Sequence, residues 1–256
     1  GRPVRHEFRM RRPDNKPLIV IGNLSLLRDD ANLDARHGPS ERAAADLARA
    51  GEGLPAARSA RRGGDVARAI RFHRYGGPEV LQEVELPTPL PAAGEIRVKA
   101  EAIGIGRPDV LVRKGIYKWM PPLPTIPGSE LVGVVDALGA GAPAALQGRR
   151  VLVSARELPV RGGCCAEYIC VPADAVFVLP ETISPIDAVS LPNLQFVNAL
   201  WTCNGGRAVQ SLYIPGVAGG VGSTLTQFAR FKGVQVLGST STPEKAAYAL
   251  ANGVDH

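Results

Sequence analysis

Three evenly spaced glycines follow a short apolar run at 212–214 and precede a helix-like segment at 223–232. They are Gly216, Gly219 and Gly222. Glycines in such a loop permit a tight turn, close backbone approach of a ligand, and close packing of the helix on the strand. A second apolar run at 234–238 follows the helix. This order of strand, loop, helix and strand predicts an α/β fold with a parallel sheet.

A loop of this kind can hold the pyrophosphate of a dinucleotide, because the first amide groups and the positive dipole end of the helix face the anion. The spacing is Gly-x-x-Gly-x-x-Gly rather than the strict Gly-x-Gly-x-x-Gly. The predicted cofactor contacts are Gly216, Ala218, Gly219, Gly220, Val221 and Gly222. The alternative is an ordinary strand, turn and helix that bind nothing.

The end of the second strand bears on the choice of cofactor. An NAD site usually carries an Asp or Glu about 20 residues past the glycines, where it accepts from the ribose 2′-hydroxyl. Here hydroxyl side chains at 239–242 precede Lys245. We therefore predict that Ser241 and Lys245 bind a 2′-phosphate and that the cofactor is NADPH; the alternative is a solvated lysine. Thr242 is the predicted N-cap of the next helix, with Pro243 at its first position.

The chain of 256 residues divides by composition into three parts. Residues 1–65 are rich in Arg, Ala, Gly and Pro; we expect a disordered or non-native extension, with a short strand pattern at 18–21 that has no obvious partner. Residues 66–200 predict a domain of short strands, and residues 201–256 the nucleotide-binding domain. A doubly wound sheet has about six strands. Since two are predicted here, we expect a truncated domain of low stability.

The predicted strands of the middle part form a barrel-like set. They cover 67–72, 80–86, 95–102, 131–135, 151–153, 164–171 and 176–179. Residues 95–102 alternate between apolar and polar, as in a half-buried strand. A short helix is predicted at 108–114, and Ser184 with Pro185 predicts another helix start. In the last part, Val221, Leu225 and Phe228 share one helix face, which we expect to pack on the sheet.

Charge and cysteine usage exclude several classes of protein. Residues 1–65 carry 13 Lys and Arg against 9 Asp and Glu, and the remainder 17 against 15, so the middle and last parts lack the basic surface of a nucleic-acid binder. No stretch approaches the roughly 20 apolar residues of a membrane span. The four cysteines contain no Cys-x-x-Cys pair, which argues against a structural zinc site or a disulfide framework. We expect a cytoplasmic protein without a metal.

An ordered set of short motifs in residues 66–256 resembles the zeta-crystallin-like quinone oxidoreductases of the medium-chain dehydrogenase/reductase superfamily. The motifs include Gly76-Gly77-Pro78-Glu79-Val80-Leu81, Gly115-Ile116-Tyr117, Pro127-Gly128-Ser129-Glu130, Ala166-Glu167-Tyr168, Ala218-Gly219-Gly220-Val221-Gly222 and Gly253-Val254-Asp255-His256. The resemblance implies a GroES-like β-barrel domain followed by a partial Rossmann domain. It also implies NADPH as cofactor, a quinone or α,β-unsaturated carbonyl as substrate, and a family that usually forms homodimers.

The resemblance also bears on the chemistry of the site. Zinc-dependent members of the superfamily carry Gly-His-Glu where this chain has Gly128-Ser129-Glu130, which implies a zinc-free branch and a substrate that is already activated. Tyr117 lies where related enoyl reductases carry a proton-donating tyrosine, and we predict it as the catalytic residue. The alternative is a tyrosine that packs against Trp119. Asp109 matches a common acidic position, for which a structural role in the short helix is expected.

Four positions depart from the family pattern, and one of them is Arg149 in Gly148-Arg149-Arg150-Val151, where Gly-Asp-Arg-Val is usual. Gly106 stands where an Asn is usual, Val197 where a Thr is expected, and Pro215 before the glycine loop cannot donate a backbone hydrogen bond. Three interpretations therefore stay open. The chain is an NADPH-dependent reductase, an NADPH-binding protein with little turnover, or an inactive truncated product.

Overall fold

The computed structural model describes residues 66–203 and 208–256, together with the backbone of two strands at 6–11 and 17–22. The chain divides into two compact units, the first ending at Val189 and the second beginning at Ser190. This division falls before the predicted domain border at 200/201. No helix in the described part of the chain is long and apolar enough to cross a membrane.

The first unit is built on a seven-stranded mixed sheet. Its strands are β1 (His6–Arg11), β2 (Pro17–Gly22), β5 (Glu95–Ile105), β6 (Glu130–Leu138), β7 (Arg150–Ser154), β8 (Tyr168–Pro172) and β9 (Val176–Val178). The order is β1-β2-β5-β6-β7-β9, and β8 also pairs with β5. Only the β2–β5 pair is parallel among these described strands. A separate antiparallel pair consists of β3 (Val66–Arg71) and β4 (Gln82–Pro87).

Strand β2 includes the strand pattern at 18–21, for which the sequence suggested no partner. In the structure its backbone pairs with β1 on one side and with β5 on the other. The rest of the predicted extension lies outside the described residues.

The alternation predicted for 95–102 is confirmed along β5. Ile96, Val98, Ala100 and Ala102 are each 0% exposed, because successive side chains of a strand point to opposite faces. Ile96, Val98 and Ala100 join a core made largely by β5, β6 and β7, whereas Ala102 follows a shift in the register of β5 and is not a member of it. Its other buried members include Ile103, Leu131, Val135, Val151, Val153, Cys164, Cys165 and Val171.

Two predicted strands begin later than expected. Pro78–Val80 forms a 3₁₀ turn, because Pro78 fits its first position and Glu79 accepts from the Gly77 backbone N–H at 2.9 Å. The predicted strand at 164–171 begins only at β8. The backbone N–H of Cys165 donates to the Pro127 carbonyl instead of to a neighbouring strand.

The helices of the first unit are α1 (Arg107–Lys114) and α2 (Pro185–Ala188). Helix α1 confirms the short helix predicted at 108–114, and Gly115 ends it with a positive φ of 76°. Helix α2 starts as predicted, because the Ser184 hydroxyl accepts from the Asp187 backbone N–H at 3.1 Å.

The second unit contains α3 (Leu191–Thr202), β10 (Ser211–Pro215), α4 (Gly220–Phe231), β11 (Gln235–Ser239) and α5 (Pro243–Ala251). Strands β10 and β11 run parallel, with Leu212 opposite Val236. The order of strand, loop, helix and strand predicted from the glycines is therefore confirmed. Helix α3 belongs to this unit because it packs on α4, where the rings of Trp201 and Phe228 meet edge-on with centroids 5.4 Å apart.

The predicted packing face of α4 is wrong in part. Val221 is 40% exposed, and the buried residues of the helix are Gly222, Ser223, Thr226 and Ala229. Small side chains allow the helix to lie close to the strands, so the face with the largest apolar residues is not the face that is most buried. Leu225 is only partly buried against the core of the unit.

We expect Gly222→Ala to destabilise the second unit by about 1–3 kcal/mol, the usual cost of overpacking. A Cβ at Gly222 would lie 2.7 Å from the Val217 carbonyl oxygen and 2.8 Å from that of Gly216. Gly220→Ala is the matched control, since its Cβ would meet only the Asn193 side chain at 3.7 Å. Urea unfolding followed by Trp201 fluorescence, in a Trp119→Phe background, measures both. Equal midpoints for the two variants would contradict the packing argument.

Candidate functional site

The glycine loop of the second unit makes the turn that the sequence predicted. Gly216 has a φ of +66°, which favours glycine, and its carbonyl accepts from the Gly219 backbone N–H at 2.9 Å. Gly222 lies against the carbonyl oxygens of Gly216 and Val217, at a distance that leaves no room for a Cβ. The tight turn and the close helix packing expected of these two glycines are therefore present.

The loop offers its backbone amides at the start of α4. The N-cap residue is Gly219, which has no side chain to accept from the first amides of the helix. Gly219, Gly220 and Val221 are exposed, and Ala218 is half-buried. An anion at this position would find unsatisfied N–H groups and the positive end of the helix dipole.

The polar residues predicted for a 2′-phosphate lie together at the end of β11. Lys245 Nζ donates to Ser241 Oγ at 3.3 Å. Thr242 caps α5 as predicted, since its hydroxyl accepts from the Lys245 backbone N–H at 3.3 Å. Glu244, the residue before Lys245, carries a carboxylate in the first turn of this helix. A hydrogen bond to Thr242 lowers the pKa of Glu244.

The first unit contains a separate cleft, lined by residues of α1, of the start of β6 and of the loop that follows β7. Half of the lining residues have polar side chains. They are Asp109, Tyr117, Ser129, Glu130, Arg156 and Arg161.

Asp109 lies at the inner end of this cleft and is 7% exposed. Its carboxylate accepts from the Gly106 backbone N–H at 2.7 Å and from the Ser129 hydroxyl at 2.9 Å. Burial raises the pKa of Asp109, and these two hydrogen bonds act in the opposite direction. The structural role expected for Asp109 is present, because the side chain caps α1 through Gly106.

Glu130 is the second acid of the cleft with a raised pKa. Burial, together with the nearby charge of Asp109, raises the pKa of Glu130 to about 7, although Arg156 partly offsets this effect. A Cβ at Gly104 would lie 2.6 Å from Glu130 Oε2, so glycine at that position leaves room for the carboxyl group. Glu130 therefore changes its protonation near neutral pH.

Tyr117 lines the cleft and also packs on Trp119. The two rings meet edge-on with centroids 5.6 Å apart and an interplanar angle of 67°. The packing contact and the position in the cleft are compatible, so the geometry leaves both interpretations of Tyr117 open.

Sequence reasoning missed the role of Glu130 and the contact of Arg161. The sequence shows Glu130 only as part of a motif, because the space for its carboxyl group and its raised pKa depend on Gly104 and Asp109, which are distant in sequence. The Arg161 guanidinium lies over the Trp119 ring at 4.1 Å. Two glycines directly after Arg161 are the only local signal for that loop.

The donor set of the cleft does not resemble a metal site. In the described residues, no group of three or more His, Cys, Asp or Glu side chains is arranged to hold a metal ion. Ser129 uses its hydroxyl to donate to Asp109. All four cysteines lie in described segments and are free.

Residues 92–181 match the family model of the alcohol dehydrogenase GroES-like domain. The chain is 33% identical to quinone oxidoreductase of Mus musculus over 194 residues, which cover 75% of this chain and 57% of the relative. It is 34% identical to quinone oxidoreductase 1 of Escherichia coli over 190 residues, 73% of this chain and 57% of the relative. The chain thus spans somewhat more than half the length of the curated relatives it matches.

Solved structures of quinone oxidoreductases also align with the chain. A quinone oxidoreductase of Pseudomonas syringae aligns with a TM-score of 0.66 at 32% identity, over 73% of this chain and 57% of that chain. The Escherichia coli quinone oxidoreductase complexed with NADPH aligns with a TM-score of 0.64 at 33% identity, with the same coverage of both chains. The predicted fold is confirmed: a GroES-like domain is followed by a Rossmann-type α/β domain.

We expect Glu130→Gln to stabilise the protein by about 1–3 kcal/mol at about pH 8 and to have little effect at about pH 5. The folded-state pKa of Glu130 is raised to about 7 from 4.5. The contribution of Glu130 to the free energy of unfolding is therefore fully present below pH 4.5, where the carboxyl group is protonated in both states. This contribution is lost as the pH rises through 7. Chemical denaturation at both pH values measures the difference.

The matched control is Glu85→Gln, which changes an exposed carboxylate on β4. It should leave the pH dependence of the free energy of unfolding as it is in the unmodified chain. A Glu130→Gln effect that is equal at both pH values would contradict the raised pKa.

Proposed function

Because the chain belongs to the quinone oxidoreductase family of the medium-chain dehydrogenase/reductase superfamily, we propose that it carries the NADPH site and a substrate cleft of a zinc-independent reductase. The substrates are quinones or α,β-unsaturated carbonyl compounds. The observation that carries the proposal is the pairing of Ser241 with Lys245 at 3.3 Å, after a loop that fits a dinucleotide. With four free thiols, we place the protein in the reducing cytoplasm.

The residues of the loop fit NADPH. Gly216 adopts the left-handed conformation, Gly222 lets the helix approach, and Gly219 leaves the first amides of α4 without a side-chain acceptor. In this proposal these amides hold the pyrophosphate. Ser241 and Lys245 bind the 2′-phosphate, because a hydroxyl and an ammonium group donate to it whereas a carboxylate would repel it.

Bound NADPH supplies a hydride to a conjugated carbonyl compound, and the reduced product then takes up one proton. Tyr117 is the proposed proton donor, since it lines the same cleft as Asp109 and Glu130. Ser129 occupies the place of the family's zinc-ligating histidine and keeps its hydroxyl on Asp109. A conjugated substrate fits this donor set, because it accepts a hydride without a Lewis acid.

We expect Lys245→Ala to weaken NADPH binding about tenfold, a loss of about 1.4 kcal/mol, and to leave NADH binding nearly unchanged. The physical reason is that only NADPH carries the 2′-phosphate. Fluorescence titration of the folded chain with both cofactors measures the effect. Lys232→Ala is the control, because Lys232 lies at the other end of α4, near the Phe228 and Phe231 rings. Equal losses for NADPH and NADH would contradict the assignment of Lys245.

We expect Tyr117→Phe to lower kcat for an enone at least about 100-fold, which is the lower range for loss of a general acid. Phenylalanine keeps the ring contact with Trp119, so stability should change little. Steady-state oxidation of NADPH with and without the enone measures turnover. Tyr75→Phe is the control, since Tyr75 packs in the same apolar cluster. An unchanged kcat would favour the packing interpretation of Tyr117, and NADPH binding without any turnover would favour a binding protein.

A further inference from the structure

One rim of the cleft carries two cations on a single aromatic ring. The Arg161 guanidinium lies 4.1 Å from the centroid of the Trp119 ring, and Lys118 Nζ lies 5.1 Å from it. Trp119 itself is 48% exposed. Both cations therefore lie at cation–π distance from an aromatic surface that solvent and ligands can reach.

These cations have no acidic partner in the described part of the chain. The ion pairs of the first unit involve other arginines, namely Arg68, Arg97 and Arg150. The Arg161 guanidinium lies over the Trp119 ring, and its N–H groups have no acidic partner among the described residues. A guanidinium in this arrangement can donate two parallel hydrogen bonds to a carboxylate or sulfonate.

The loop that carries Arg161 is fixed by its backbone. The Gly163 N–H donates to the Ile126 carbonyl oxygen at 2.7 Å. The backbone of Gly162 passes close to the same oxygen, since a Cβ at Gly162 would lie 3.0 Å from it. Arg161 and Gly162 line the cleft beside Tyr117 and Ser129. The backbone next to Arg161 is therefore held in place without a ligand, which lowers the entropic cost of binding.

The cleft carries charges of both signs. Its inner part holds the carboxyl groups of the buried Asp109 and the half-buried Glu130, with the Arg156 cation near Glu130. Arg161 lines the cleft as well, and Tyr117 lines it next to the Trp119 ring that Arg161 and Lys118 contact. A substrate with a carbonyl near Tyr117 and an anionic substituent at Arg161 matches both groups.

We propose that Arg161, supported by Trp119 and Lys118, selects conjugated carbonyl substrates that bear an anionic substituent such as a carboxylate or sulfonate. This assignment rests on the reductase function proposed above and adds a substrate class to it. A neutral quinone gains nothing from these cations. An anionic one gains charge-assisted hydrogen bonds at a preformed site.

The first test compares 1,2-naphthoquinone with its 4-sulfonate as substrates. For the unmodified chain and for Arg161→Gln, the ratio of kcat/KM for the sulfonate to that for the neutral quinone is measured. The different potentials of the two quinones cancel in this comparison of variants. We expect Arg161→Gln to lower the ratio about tenfold, mainly through KM, and added salt to lower it in the unmodified chain.

Arg149→Gln is the matched control, since Arg149 is an exposed arginine of the same unit and does not line the cleft. Its ratio should equal that of the unmodified chain. The proposal is overturned if Arg161→Gln leaves the ratio unchanged, or if Arg149→Gln lowers it equally.

A second measurement needs no turnover. In a Trp201→Phe background Trp119 is the only tryptophan, and its fluorescence is titrated with p-toluenesulfonate and with the neutral methyl p-tolyl sulfone. We expect a saturable change with the sulfonate alone, lost in Arg161→Gln. Sulfonate binding without reduction of either quinone would contradict the proposed reductase function and support the anion site. Reduction of the neutral quinone without sulfonate binding would support the reductase function and contradict the anion site.

Discussion

The cleft of the first unit depends on one buried carboxylate. Asp109 joins three segments: it lies in α1, it accepts from Gly106 directly after β5, and it accepts from Ser129 in the loop before β6. Removing the carboxylate would leave a half-buried N–H and a half-buried hydroxyl without their acceptor. The same negative charge raises the pKa of Glu130. Local architecture and acid–base behaviour are thus linked through a single side chain.

The close packing of helix, loop and strand in the second unit depends on glycines. Gly222 and Gly238 lie where a Cβ would collide with Val217 or its neighbours, so helix, loop and strand approach more closely than other residues would allow. The exposed amides of the loop and the polar end of β11 are the result. In the proposed function, the backbone of this unit offers the groups that bind the pyrophosphate, and Ser241 and Lys245 select for the 2′-phosphate.

The sequence predicted what local patterns determine. The alternation along β5, the cap at Ser184, the glycine turn and the proximity of Ser241 to Lys245 follow from residues that are neighbours in the chain. It did not predict what tertiary contacts decide. Val221 was expected in the core, yet small residues make the buried face of α4. The raised pKa of Glu130 and the stacking of Arg161 on Trp119 depend on segments that only the fold brings together.

The space beside Gly104 has a consequence for how this site can vary. Glu130 Oε2 occupies the volume that any side chain at position 104 would need. A replacement of Gly104 by alanine therefore forces the Glu130 carboxyl group to leave its present position. The residue at position 104 thus decides where the acid of the cleft can lie, although it has no side chain of its own.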